Sequence, residues 1–314
     1  MNIAEYLTTA VPSVSFEIIP PLRGGSMRDL QIIIEELLQY QPPFIDVTSH
    51  AAELVSVNSE FNSVPQALRK RPGTLGICAL LQHKYNVDAV PHVLCQGFTR
   101  EETEDFLLEL SYLGINNVLA LQGDTKYQKN IPPNKTANKY AFDLVQQIVA
   151  LNAGNFLTPD QKGICTNFCI GVAGYPEKHR DAADLTTDIA HLKSKVDAGA
   201  SYIVTQMFFD NRHYFSFVEQ CRLAGITVPI IPGLKVLTSS SQLESLPSYF
   251  NITIPDDLQR EIKIKNRGPR HCFEIGVEWG IQQIKDLRSH NVPLTHLYVM
   301  QNLKPIHAVL EKVF

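Results

Sequence analysis

At 314 residues, 44% apolar and 19% charged, the chain has the composition of an ordinary globular protein, long enough for one large barrel-type domain or two smaller ones. No apolar run is long enough to span a bilayer, and a formal charge of −4 with dispersed Lys and Arg excludes nucleic acid as a general partner. Met1 to Pro12 lacks the basic flank and apolar stretch of a secretory signal, so a cytoplasmic location is expected, without membrane association.

Short β-branched or apolar runs recur along the chain at Val14–Ile19, Phe44–Thr48, Ala89–Cys95, Asn117–Leu121, Phe168–Ala173, Tyr202–Phe208, Val228–Leu234 and His296–Met300. Helical patterns separate most of them: Met27–Gln39, Arg100–Tyr112, Tyr140–Leu151, Thr187–Ala198, Arg212–Ala224 and Phe273–His290. Gly114, Gly199 and Gly225 stand where helices end in a left-handed cap. Strands alternating with helices pair in parallel, and eight such units close a (β/α)₈ TIM-type barrel over residues 1–314 as a single domain. The competing architecture is an open doubly wound sheet. No G-x-G-x-x-G follows any of the eight runs, so its dinucleotide fingerprint is missing.

A barrel gathers its chemistry at the C-terminal ends of its strands. Glu17, Thr48, His92, Asp124, Tyr175, His179, Gln206 and Asn302 fall there. Glu17 stands out because Phe16, Ile18 and Ile19 flank it, and a carboxylate among large apolar residues is costly to bury unless partnered or neutralised. It is either a structural glutamate paired with a base or an acid with a raised pKa, suited to donating a proton. Asp124, after Gly123, reads equally well as a ligand contact or as a turn cap. Gln206 is an amide in an apolar run that needs partners. His92, between Pro91 and Val93, reads by itself as a satisfied core histidine, and Tyr175 and His179 are ambiguous loop aromatics.

Cys78, Cys95, Cys165, Cys169, Cys221 and Cys272 include no C-x-x-C pair, and no H-E-x-x-H or G-x-S-x-G is present. Neither a metal site nor a serine hydrolase is expected. Acids, an amide and aromatics at a barrel mouth suit cofactor chemistry, in which the protein orients and tunes.

The segments Ser15–Pro21, Val90–Cys95, Leu119–Asp124, Ile170–His179, Lys193–Asp210 and Pro229–Gly233 resemble, in order and nearly end to end, the motifs of methylenetetrahydrofolate reductases. The resemblance implies an FAD-binding barrel that carries hydride from NADH or NADPH to 5,10-methylenetetrahydrofolate in a ping-pong sequence, without the regulatory domain of eukaryotic members. By the same resemblance Glu17 matches the general acid and Asp124 the carboxylate beside the flavin. Gln206, Gln242 and Tyr298 match substrate contacts. Thr48, His92, Leu121, Gln122, Gly123, Tyr140, Ala141, Ala173, Tyr175, His179, Asp188 and Lys195 match flavin contacts. The chain departs from the pattern at Ser49, Gln122, Ser194 and Gln301-Asn302, and each departure weakens an expected contact to flavin phosphate, flavin ring or folate. The alternative is a barrel homologue of weakened catalysis that binds a ligand or a partner. The choice between NADH and NADPH, and whether the chain forms a homo-oligomer, stay open.

Overall fold

The computed structural model describes residues 1–9, 11–58, 63–123, 135–158, 163–264 and 268–314. A short helix α1 (Ile3–Thr9) precedes β1 (Ser13–Ile18), α2 (Met27–Leu38) and β2 (Phe44–Val47). Two strands, β3 (Glu53–Asn58) and β4 (Ser63–Leu68), then lead to α3 (Thr74–His83), β5 (Asp88–Leu94), α4 (Arg100–Tyr112), β6 (Asn117–Leu121) and α5 (Ala141–Asn152). The second half runs β7 (Cys169–Gly174), α6 (Leu185–Asp197), β8 (Tyr202–Thr205), α7 (Asn211–Leu223), β9 (Ile230–Ile231) and β10 (Gly233–Leu234). It ends with α8 (Gln242–Phe250), α9 (Asp256–Ile264), α10 (Pro269–Ser289), β11 (Leu294–Met300) and α11 (Lys304–Val313).

Nine strands form one parallel sheet in the order β10-β11-β1-β2-β5-β6-β7-β8-β9. Its two edges, β9 and β10, are two halves of one stave interrupted at Pro232, so the sheet curls into the predicted eight-stave barrel. Proline has no N–H for a ladder. Side chains staple the gap instead: Gly233 N–H donates to Thr205 Oγ1 at 2.9 Å, and the Tyr298 hydroxyl donates to the Thr205 carbonyl at 2.6 Å. The sequence run Val228–Leu234 is therefore one stave but two short strands.

The six predicted helices form within two residues of their expected bounds, except that α10 begins four residues earlier. Their starts follow from side-chain caps. Ser26 accepts from the N–H groups of Arg28 and Asp29, Asp184 from Thr187 and Asp210 from Arg212, while Thr99 and Glu102 form a reciprocal capping box. Gly114, Gly199 and Gly225 all adopt positive φ. The antiparallel pair β3 and β4 was not anticipated; it lies outside the barrel sheet. Among the described residues no helix is long and apolar enough to cross a membrane.

Inward side chains fill the lower barrel with Phe44, Val90, Leu119, Cys169, Tyr202, Ile231 and Leu294, and Ile3 of α1 closes the floor. Polar bonds hold that plug: Ile3 N–H donates to Asn117 Oδ1 at 3.2 Å, and Asn117 Nδ2 donates to the Met1 carbonyl at 2.8 Å. Gly171, paired in register with Tyr202, leaves room for the tyrosine ring, which a Cβ at 171 would overlap. Gly76, within α3, has nothing within 4 Å of its missing Cβ. Gly171→Ala is expected to destabilise by about 1–3 kcal/mol through overpacking. Gly76→Ala should stabilise by up to ~1 kcal/mol through helix propensity. Urea denaturation midpoints should move in opposite directions.

Candidate active site

Above the apolar floor the barrel interior turns polar. Glu17 on β1 is the register partner of Asp46 on β2 and of Tyr298 on β11. The register with β11 shifts between Glu17 and Ile18, a bulge that ends regular pairing beside the glutamate. From β5, His92 Nε2 comes within 3.5 Å of Glu17 Oε2 and 3.6 Å of Asp46 Oδ2. The Glu17 side chain keeps 13% exposure and Asp46 none.

Burial is the main force on these groups. It raises the Glu17 carboxyl to about 7, further raised by Asp46 and opposed by the charges of His92 and Lys235. It holds Asp46 well above the usual carboxylate range and lowers His92, the latter opposed by Glu17. It pushes His296 down to about 3, so that ring is neutral, with Nδ1 bonded to Ser15 Oγ at 2.9 Å. Glu17 is thus the raised-pKa acid that its apolar flanks allow. His92 is not the satisfied core histidine suggested by its neighbours in sequence, because its buried Nε2 has no hydrogen bond among the described residues.

A second group lies on β7, the following loop and α6. Lys195 Nζ donates to the Ala173 carbonyl at 2.9 Å, and burial lowers its ammonium to about 8 against the pull of Asp188. Asp188 Oδ2 accepts from His179 N–H at 2.7 Å, and the His179 ring meets Tyr175 edge-on with centroids 4.6 Å apart. Four of the predicted contacts are thereby tied into one unit with Ala173. Thr48, at the end of β2, has a buried hydroxyl with no partner among the described residues. Leu121 and Gln122 accept backbone bonds from Cys95 and Gln96, and Gly123 turns at φ +78.

Other predicted residues are placed less centrally. Tyr140 is half exposed at the N-cap of α5, next to Ala141. Gln206 Oε1 accepts the N–H of Met207 at 2.9 Å. Gln242 Oε1 accepts from Thr238 N–H at 2.7 Å and Ser239 N–H at 3.2 Å, which leaves only its amide nitrogen to offer. Asn302 is exposed, its Oδ1 accepting from Lys304 N–H at 3.2 Å at the start of α11. The hydroxyl of the exposed Ser194 is turned to Ala190 O within its own helix. Asp124 lies outside the described residues.

A cavity of about 310 Å³ opens beside His92, lined by Ser49, His50, Arg69, Arg71 and Phe98 among others. A larger one of about 410 Å³ lies between α4 and α5 and touches none of the predicted site residues. We place the chemistry at the barrel mouth, where the perturbed acids converge.

Acids whose pKa values burial raises, gathered at the C-terminal mouth of a parallel barrel, fit the architecture of a barrel enzyme. A family model described as methylenetetrahydrofolate reductase matches residues 2–313. Methylenetetrahydrofolate reductase 1 of Schizosaccharomyces pombe is 29% identical over 303 residues, covering 95% of this chain but 45% of that protein. The 5,10-methylenetetrahydrofolate reductase of Escherichia coli is 27% identical, with 95% of this chain and 89% of the relative covered. This chain thus spans less than half of the fission-yeast relative and most of the bacterial one. An uncharacterized protein from Clostridium thermocellum, described as binding two copies of 5-methyl-5,6,7,8-tetrahydrofolic acid, shares the fold with a TM-score of 0.57 at 12% identity, covering 99% and 97% of the two chains. The chain belongs to the methylenetetrahydrofolate reductase family.

The ionisation of Glu17 has a thermodynamic signature. Below its ordinary value of 4.5 the carboxyl is protonated both folded and unfolded. Between 4.5 and about 7 the unfolded chain ionises it while the folded chain does not, so this residue withdraws stability as pH rises, fully so above about 7. Glu17→Gln removes that loss. Its stability relative to the parent should therefore rise across this window by up to about 3 kcal/mol. Urea denaturation at the acid and alkaline ends of the window measures the difference, and a constant gap would contradict the raised pKa.

Proposed function

We propose that this chain reduces 5,10-methylenetetrahydrofolate to 5-methyltetrahydrofolate, with FAD as resident cofactor and NADH or NADPH as hydride source, the two substrates taking turns. Glu17 is the observation that carries the reading. A carboxyl that ionises near pH 7 at a barrel mouth can be protonated, and can donate, at neutral pH.

The residues present fit the cofactor. Thr48 Oγ1 is a buried polar atom lacking a partner among the described residues, as expected where a polar ligand completes the hydrogen bonding. Lys195 supplies a cation near Ala173, and Gly123 a backbone turn without a side chain. Together with Tyr175, His179 and Asp188 these residues would hold FAD, which supplies a two-electron hydride carrier between nicotinamide and folate. Glu17 gives its proton to the amine nitrogen that leaves as the folate's five-membered ring opens. Tyr298, Gln206 and the Gln242 amide nitrogen orient the substrate, and the carboxylate of Asp124 would offset the positive charge that develops. Desolvation by the barrel wall raises the carboxyl into the neutral range, so that Glu17 can be reprotonated between turnovers.

Two measurements test this reading. Glu17→Gln should slow the folate half-reaction by roughly 10²-fold or more while sparing flavin reduction by the pyridine nucleotide, as read by stopped-flow absorbance. Equal losses in both halves would make Glu17 structural. Titration calorimetry of apo protein should show FAD binding, tightened about tenfold by Ser194→Arg because a charge-assisted hydrogen bond contributes about 1.5–3 kcal/mol. Failure to bind FAD under any condition would leave a ligand-binding barrel instead of a flavoenzyme.

A further inference from the structure

Asp46 has no part in the family resemblance, yet its carboxyl is fully buried at the mouth. Three successive staves, β1, β2 and β5, bring Glu17, Asp46 and His92 together, with His92 Nε2 between the carboxyls at 3.5 and 3.6 Å. Neither oxygen of Asp46 has a hydrogen bond among the described residues. The other ionisable groups facing the trio are Lys235 toward Glu17, His296 toward His92, Tyr298 toward both carboxyls, and Tyr202 and Cys78 toward Asp46. Both tyrosine hydroxyls donate elsewhere, Tyr202 to the Val118 carbonyl and Tyr298 to the Thr205 carbonyl.

An ionised carboxylate in that setting would cost several kcal/mol for want of donors. A neutral carboxyl instead has one O–H and needs one acceptor. His92 Nε2 is an acceptor 3.6 Å away, a small side-chain adjustment beyond hydrogen-bond length, and the ring is neutral because burial disfavours its charged form. One lone pair therefore faces two acids. Among the described residues the Asp46 carboxyl has no hydrogen-bond partner and no exposure, whereas Glu17 keeps 13% exposure toward the mouth.

We propose that Asp46, as a neutral carboxyl, donates its hydrogen bond to His92 Nε2 and so leaves the Glu17 proton free for the substrate. Asp46 is then a positioning residue of the reductase reaction, and this role rests on the reading of Glu17 as the acid. Without the Asp46 O–H, the Nε2 lone pair turns to Glu17 and takes its proton. The products are an imidazolium and a carboxylate, and the acid is lost.

Two variants separate this from a merely structural role. Asp46→Asn keeps a donor, its amide N–H, and cannot ionise; Asp46→Leu keeps the volume and has no donor. The first readout needs no substrate: ¹⁵N-histidine NMR of the purified protein, with the His92 signal identified by its loss in His92→Gln. His92 should be neutral, protonated on Nδ1 and accepting at Nε2 between about pH 6 and 8 in the parent and in Asp46→Asn. In Asp46→Leu the Nε2 should be protonated. The second readout is the pH profile of the folate half-reaction by rapid mixing. In Asp46→Leu the pH at which the rate falls by half should drop by about one unit, with about a fivefold loss at about pH 7 that approaches tenfold at higher pH, and Asp46→Asn should recover most of it. Nε2 protonated in the parent, or Asp46→Asn behaving like Asp46→Leu, would overturn the proposal. If Asp46→Leu does not fold, the parent and Asp46→Asn spectra still decide. A parent that binds FAD but has no folate half-reaction would overturn the proposed function, while the spectra judge Asp46 separately.

Discussion

Closing a parallel sheet on itself removes its edges but encloses a volume that inward side chains must fill, and here the two halves of that volume are filled differently. The lower half is dry: Phe44, Leu119, Tyr202 and Leu294 pack against one another, and Ile3 seals the floor from below. Water is thereby kept from the underside of the polar layer. The raised carboxyls of Glu17 and Asp46 and the uncharged His296 all have desolvation as their first cause. The chemistry at the mouth thus depends on apolar packing beneath it.

The loop after β7 shows how the fold fixes a site segment that has no regular structure of its own. Lys178 adopts a left-handed φ of 74, which costs energy for a residue with a side chain. Its ammonium offsets that cost by donating to the carbonyls of His179 and Ala182 at 3.3 and 2.7 Å. Glu177 accepts from Thr253 N–H at 2.8 Å, joining the loop to the segment between α8 and α9. Tyr175 and His179 are held by this frame.

Much of the architecture was legible because parallel strands separated by helices write two clear periods into the chain. The pair β3 and β4 was missed: it interrupts that alternation, and Pro65 within β4 weakens its strand signal. The split of the seventh stave was hidden for a related reason, since Val228–Leu234 is uniformly apolar apart from its prolines. Glu17 could be singled out as an acid among large apolar neighbours. Asp46, between Ile45 and Val47, bears the same mark, but nothing in its own segment tells an inward-facing aspartate from an outward one. The state of His92 could not be read locally, for its partners arrive from staves distant in sequence. Lys235 and His296 were missed likewise, their influence being exerted through space.

The gap at Pro232 has a mechanical consequence. Elsewhere neighbouring staves share runs of ladder bonds, but β9 and β10 hold their neighbours over two residues each. Cooperative opening is favoured where backbone bonds are fewest, so opening of the barrel wall is expected to begin along this line. Thr205 and Tyr298 span it, and Lys235 follows directly after β10. A fluctuation that parts the line moves the Tyr298 ring and the Lys235 charge relative to Glu17. The same motion that loosens the wall thus changes the field at the acid, and amide exchange along this line and proton affinity at the mouth become two views of one event.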